Sequence, residues 1–274
     1  MFNLEIYFLI LIIIKKRFVS FRIEKRINYL MCTVTFIPKS LDGFVLTSNR
    51  DEAPGRKAIQ PIIYEVNDVQ LIYPKDEVAG GTWFGSSSKN RLICLLNGGF
   101  TAHKREDRYR KSRGNIVLDL LVSKDVLASI DTYDFHGIEP FTIILLEWDR
   151  ELFLYELVWD GSIVHLSEKP LVPQIWSSSL LYSEEVKKKR ESWFSEFITK
   201  NLNPSKAELL EFHKTAGEGS KQVDLIMDRG FVKTKSITQF SKSKFTTFRY
   251  EDLQTSKVHQ VEILDDWKIK SETI

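Results

Sequence analysis

Met31-Cys32-Thr33-Val34-Thr35-Phe36-Ile37, its continuation Phe44-Val45-Leu46-Thr47-Ser48, and the tetrad Asn49-Arg50-Asp51-Glu52 decide how this 274-residue chain folds. Residues 33–37 alternate and are β-branched, which predicts a strand. Asp42-Gly43 is a hairpin turn signal, and 44–48 reads as the return strand. Residues 49–61 are polar and hold Pro54 and Pro61, so they are expected to form a loop. If Met31 is removed, Cys32 carries both a thiol and a free α-amine. Such an amine titrates at about 7.7–8.0. It can take the thiol proton directly or through one water, which puts nucleophile and base on one residue. The amine and neighbouring Arg50 are then expected to lower the Cys32 thiol pKa and leave that of Cys94 alone. An unreactive strand cysteine is the alternative reading.

Upstream, residues 6–14 are a nine-residue apolar run followed by Lys15-Lys16-Arg17. A spanning helix needs about 20 apolar residues. In a signal peptide the charge precedes the apolar run, and no small-x-small cleavage site follows here. Residues 1–30 therefore read as an upstream extension with Met31 the genuine start, or else as a short anchor. Residues 31–274 read as one domain, because no linker or repeat interrupts them.

Net charge is +2. Residues 1–30 carry six Lys or Arg against two Glu, which leaves the remainder at −2. A nucleic-acid binder carries its basic excess on the folded domain, so nucleic acid is set aside. Two cysteines make neither a disulfide framework nor a zinc site. They point to a reducing, cytoplasmic setting. Cys94 lies in Leu92-Ile93-Cys94-Leu95-Leu96 and reads as a small core residue.

Further strands are expected at 62–66, 70–73, 82–85 and 91–96. Apolar residues at helical spacing predict a helix over 114–130. Strands return at 141–148, 152–159 and 162–166. An amphipathic helix is expected over 183–200, with Val186, Trp193, Phe194 and Phe197 on one side. Ser205 caps a second helix. Strands at 236–240, 245–250 and 258–264 close the chain. Strands at both ends with helices between them imply an α+β layered protein.

Met-Cys-Thr, a nearby phenylalanine and the Asn-Arg-Asp-Glu tetrad together resemble the signature of the NRDE family, which includes the transport and Golgi organisation 2 proteins. Gly80-Gly81-Thr82-Trp83-Phe84-Gly85 is similar to its Gly-Gly-Thr-Trp-aliphatic-Gly block. Leu95-Leu96-Asn97 and Ser112-Arg113-Gly114 resemble two further blocks, in the family's order. The family in turn resembles the N-terminal-nucleophile hydrolases of the bile salt hydrolase and penicillin V acylase type. That implies an αββα sandwich of two antiparallel sheets between helical layers. It also implies Cys32 as nucleophile, Asp51 hydrogen-bonded to the Cys32 amine or thiol with Arg50 beside it, and the Asn97 side chain as oxyanion donor.

Two positions depart from the pattern. Ser178 stands where the family has an Asn, and Lys235 where it has an Arg, which keeps charge but loses the bidentate fork. With Trp83 and Arg113 they form the candidate substrate-binding set, although Trp83 also fits a core position. His103, His136, His165, His213 and His259 show no metal-ligand spacing and are expected in loops or at the surface, with the loop of His103 solvated. No metal or cofactor is expected. Two functions remain open. One is a cysteine amidohydrolase or acyltransferase acting on a small-molecule amide. The other is a non-catalytic carrier of haem or acyl-CoA lipid, in which a thiolate can ligate haem iron. A membrane is expected as a partner only if residues 1–30 are retained.

Overall fold

The computed structural model describes residues 31–39, 43–180, 182–264 and 267–272. The upstream segment and Asp42 of the expected turn lie outside them. Met31–Pro38 (β1) and Phe44–Glu52 (β2) pair antiparallel, with Cys32 opposite Arg50 and Pro38 opposite Phe44. Side chains alternate across a strand. Cys32, Val34, Phe36, Phe44 and Leu46 therefore enter one core, while Ile37 and Val45 enter another on the opposite face.

The loop expected from residue 49 is a correction. Asn49 to Glu52 complete β2, because Lys233–Lys242 (β11) pairs along the other side and gives both backbone edges a ladder partner. Cross-strand pairing outweighs the low strand propensity of Asn and Asp. Pro61 lies inside Ala58–Val66 (β3), where the register shifts between Ile59 and Ile62. β3 is an edge strand, the place where proline is tolerated.

Gln174–Ser177 (β10), Thr246–Asp252 (β12), Lys257–Ile263 (β13) and Ile269–Glu272 (β14) complete the first sheet, in the order β10-β1-β2-β11-β12-β13-β14. The second sheet takes β3, Val69–Asp76 (β4), Phe84–Ser87 (β5), Arg91–Asn97 (β6), Phe141–Trp148 (β7), Leu152–Trp159 (β8) and Val164–Glu168 (β9) in sequence order. Every strand pair is antiparallel. The two sheets meet through aromatic side chains. Phe44 and Phe240 of the first sheet lie 5.3 and 5.5 Å from Trp148 of the second.

Helices cover both outer faces. Arg113–Val122 (α1) buries Ile116, Val117, Leu120 and Leu121 against β5 and β6. The single helix expected over 114–130 is two helices, the second being Val126–Thr132 (α2). The break falls where the Ser123 hydroxyl donates to the Leu120 carbonyl and Asp125 caps α2 through the amide of Ala128; such short polar side chains compete with the helical backbone. Glu184–Lys200 (α3) and Lys206–Thr215 (α4) cover the first sheet. Ser183 and Ser205 cap them, and Ser205 with Glu208 forms a reciprocal capping box. Among the described residues, no helix is long and apolar enough to cross a membrane.

His213 of α4 corrects the surface expectation. It is fully buried, with Nδ1 2.7 Å from Asn49 Oδ1 and Nε2 2.7 Å from Thr35 Oγ1. The Asn49 amide nitrogen donates to the carbonyls of His213 and Leu225. Asn49 Oδ1 can only accept, so Nδ1 carries the proton and Nε2 accepts from Thr35. Burial lowers the imidazole pKa to about 3, and the charge of Arg190 adds to the effect.

Unfolded histidine titrates near pH 6.5, so below that value the unfolded chain binds a proton that the folded chain refuses until about pH 3. Stability should therefore fall by ~1.4 kcal/mol per pH unit between pH 6 and 4. Urea unfolding of the parent and of His213→Gln across that range should show the steeper slope in the parent, the difference being this residue's share; parallel slopes would count against a neutral buried imidazole.

Candidate active site

The pairing of β1 with β2 sorts the tetrad and its neighbours onto two faces. Cys32, Ser48 and Arg50 point between the sheets, while Thr33, Asn49 and Asp51 point toward the helices. Asp51 and the Cys32 thiol thus lie on opposite faces. Tyr182 OH donates to one Asp51 oxygen at 2.5 Å and Thr234 Oγ1 to the other at 2.6 Å. The structure does not bring Asp51 to the thiol; the residue opposite it in the ladder is Met31. Burial pushes the Asp51 carboxyl above its usual range, against the pull of Arg190, Thr234 and Tyr182. The Arg190 guanidinium lies 3.7 Å from the Tyr182 ring centroid and also donates to Thr33 Oγ1.

On the inner face, Arg50 stacks 4.1 Å from the Trp83 ring centroid. It pairs with Asp76 at 2.9 Å and Glu52 at 3.4 Å, and Arg56 pairs with the same two acids. Burial drives the Cys32 thiol pKa well above the ordinary range. Cys94 and Asp51 add to the rise, and Arg50 opposes it without prevailing. Cys94 is pushed up to about 12 by burial. In the chain with Met31 attached the Cys32 nitrogen is a peptide nitrogen and burial of the thiol outweighs Arg50; the lowered pKa expected of Cys32 belongs to a chain from which Met31 has been removed. Both cysteines are free and buried.

A cavity of about 930 Å³ opens beside this layer. Its lining includes the apolar Trp83, Leu95 and Leu180 together with Asn97, His103, Arg113 and Glu139. Asn97 is the last residue of β6, and its carboxamide has no hydrogen-bond partner among the described residues. Its backbone carbonyl accepts from Ser178 Oγ at 2.5 Å, while the Ser178 amide donates to the Cys32 carbonyl at 3.1 Å. Ser178 therefore links β1 to the cavity wall, and its hydroxyl is already committed. Cys32, Arg50, Asp51, Ser178 and Lys235 do not themselves line the cavity. Lys235 sits at the β11 bulge and donates to the Pro54 carbonyl.

Trp83 is both core and cavity wall, and its indole N–H lacks a partner. The backbones of Gly81 and Gly114 bring it there. A Cβ on Gly81 would stand 2.4 Å from the Gly114 carbonyl carbon, so only glycine lets this loop press on the first turn of α1. Arg113 donates to the Pro140 carbonyl and pairs with Glu139 at 3.1 Å. Burial lowers its pKa to about 10. His103 also departs from the solvated loop expected for it, because it lines the cavity beside Glu139. Among the described residues, no three His, Cys, Asp or Glu side chains are grouped to hold a metal ion.

The motif blocks do not reach Tyr182, Arg190 or Glu139, and Thr234 enters them only as the neighbour of Lys235. Arg190 left a signal in the sequence, since it stands midway between Val186 and Phe194 at i+4 spacing, a cation inside an apolar stripe.

The sandwich of two antiparallel sheets between helical layers defines the N-terminal-nucleophile-hydrolase-like fold. Conjugated bile acid hydrolase from Clostridium perfringens, in a cysteine-to-alanine mutant, is 8% identical with a TM-score of 0.52; the match covers 88% of this chain and 97% of that one. Penicillin V acylase from Agrobacterium tumefaciens is 8% identical at 0.52, over 88% and 98%. The Caenorhabditis elegans ortholog of N-acylethanolamine-hydrolyzing acid amidase is 10% identical at 0.54, over 76% and 92%. A search of curated protein sequences found no match. The model of the Transport and Golgi organisation 2 family matches residues 31–248, and the chain belongs to that family.

Two outcomes follow for the full-length chain. Iodoacetamide at pH 7.5 should label Cys32 and Cys94 equally slowly, and both fast once urea unfolds the chain; rapid native labelling of Cys32 would contradict its desolvated state. Ser178→Ala should cost about 1–3 kcal/mol of unfolding free energy, because it leaves the buried Asn97 carbonyl without its donor.

Proposed function

We propose that the chain, once it begins at Cys32, hydrolyses a carbon–nitrogen amide bond of a small molecule through a Cys32 thioester. The observation that carries this reading is the unpartnered Asn97 carboxamide facing the cavity, tied through Ser178 to the strand that starts with Cys32. The names of the three structural neighbours, two hydrolases and an acylase, support the same class of bond.

The free α-amine takes the Cys32 Sγ proton, and the thiolate attacks the amide carbonyl carbon. Asn97 Nδ2 donates to the oxyanion that forms. Collapse breaks the C–N bond, and the departing amine leaves with the proton from the α-ammonium. Water then attacks the thioester, with the amine again as base, to release a carboxylic acid and restore the thiol. Asp51, fixed by Tyr182 and Thr234, supplies the negative charge that favours the ammonium form. The Ser178 hydroxyl is held by the Asn97 carbonyl, so it adds no second side-chain donor.

One observation favours a second reading, a carrier of haem or acyl-CoA lipid without turnover. Cys32 does not line the cavity in the chain with Met31 attached, and about 930 Å³ falls within the ~300–1,000 Å³ usual for small-molecule sites. A carrier would hold its ligand without the thiol.

A panel of acyl amides run beside a haem titration on protein starting at Met31 separates the two. Turnover abolished by Cys32→Ser establishes the hydrolase, and ligand binding indifferent to Cys32→Ser with no turnover establishes the carrier. In the hydrolase, Asn97→Ala should lower kcat by about 10²–10³-fold with KM little changed. Tyr182→Phe removes a donor that holds the Asp51 pKa down. It should move the acid limb of the pH–rate profile to higher pH; an unmoved limb would remove Asp51 from the mechanism.

A further inference from the structure

One buried nucleophile has no part in the amide chemistry. Cys94 sits fully buried in the middle of β6, in the second sheet, while Cys32 belongs to β1 of the first. The residue opposite Cys94 in the ladder is Phe84, whose ring packs edge-on against Phe248 of the first sheet. Directly opposed residues share a face of a sheet, so Cys94 points between the sheets, as Cys32 does. Both belong to the same buried cluster.

Sheets stacked face to face lie about 10 Å apart. Cα atoms of β1 and β6 come within 8 Å of one another, and the small cysteine side chains leave room for that approach. Ser48, which also points inward from β2, stands beside both sulfurs, and its hydroxyl pulls the pKa of each down against burial. Cys94 acts on the Cys32 thiol more strongly than Asp51 or Arg50 does, although Arg50 is the ladder neighbour of Cys32. Charge interactions weaken with distance, so the two sulfurs are near neighbours across the sheets. A disulfide usually spans about 4.4–6.8 Å between Cα atoms, so joining these strands asks for a small closing movement. Both thiols are free in this structure.

We infer that Cys32 and Cys94 form a redox pair that closes into a disulfide between the two sheets when a low-molecular-weight disulfide of the glutathione type oxidises it. The Cys32 thiolate attacks one sulfur of oxidised glutathione and expels a glutathione thiolate. The Cys94 thiolate then attacks Cys32 Sγ in the mixed disulfide and expels the second. The pair gives up two protons and two electrons, and one oxidised glutathione becomes two thiols. Both sulfurs are buried, so exchange takes place while β1 is open, and the closed sandwich then holds the outcome. Oxidation withdraws the sulfur that the proposed hydrolase uses, but the pairing itself does not depend on that reading.

The test equilibrates the full-length chain with mixtures of reduced and oxidised glutathione, both natively and in urea, approaching from the reduced and the oxidised side. Samples are quenched with acid, free thiols are trapped with N-ethylmaleimide in urea, and the masses are read. The native chain should favour the Cys32–Cys94 disulfide at least about 30-fold over the unfolded chain, the ratio expected of a bridge that fits its fold. By linkage, the urea midpoint of the parent should rise in oxidising buffer and return with dithiothreitol. Cys94→Ala and Cys94→Val, two apolar replacements, should each abolish that redox dependence. A disulfide no more favoured natively than in urea, a midpoint unchanged or lowered by oxidation, or a bridge between two chains in place of one within a chain overturns the inference. Absence of amide turnover by the reduced Met31-start protein sinks the hydrolase reading and leaves the redox pair standing. Turnover that survives full oxidation of Cys32 and Cys94 to the disulfide removes Cys32 as nucleophile and likewise leaves the pair.

Discussion

The register that sets Cys32 opposite Arg50 governs the rest of the molecule. Side chains alternate along a strand, so a slip of one residue would send every tetrad side chain to the other face. In the observed register Arg50 reaches Trp83 and Asp76 between the sheets, while Asp51 reaches Tyr182 and Thr234 beneath the helices. Slipping it would bury two charges against apolar partners. Unpaired buried charge is among the costliest errors a fold can make, so the polar tetrad pins the pairing more firmly than the apolar residues around it.

The tetrad also joins layers. Asn49 is bonded to His213 of α4, and Asp51 connects through Tyr182 to Arg190 of α3. Arg190 and His213 reach back to Thr33 and Thr35, the residues that alternate with the inward-facing Cys32 and Val34. The outer face of β1 is therefore held by hydrogen bonds and the inner face by apolar packing. Ser178 adds the link to the second sheet, and Ser179 repeats it by donating to the Gly99 carbonyl at 2.6 Å.

How much of this was legible depended on how far apart the partners lie in sequence. Residues 141–148 and 152–159 are strands with the expected bounds, and Ser183 and Ser205 cap helices as expected, because alternation and capping are signals spanning only a few residues. Asn49 to Glu52 read as a loop because their composition is polar, and the strand that overrides it, β11, lies more than 180 residues away. His213 looked like any surface histidine for the same reason, since both its partners are near the start of the domain. Cys32, Asn97, Trp83 and Arg113 could be named from motif blocks. That Glu139 gathers His103, Arg105 and Arg113 needed the three-dimensional arrangement.

The pairing of Met31 with Asp51 bears on timing. A peptide bond locked in a β-ladder must be unzipped before a processing enzyme can seat it, and the Met31–Cys32 bond lies in one. If the amine of Cys32 is to be free, methionine excision has its easiest access while the segment is still emerging from the ribosome, before β2 and β10 close around it. A chain translated from Met1 would fold with that bond already shut in. Enclosure by β2 and β10 thus sets a window on any chemistry that must reach the Met31–Cys32 bond, open during synthesis and shut once the sheet forms.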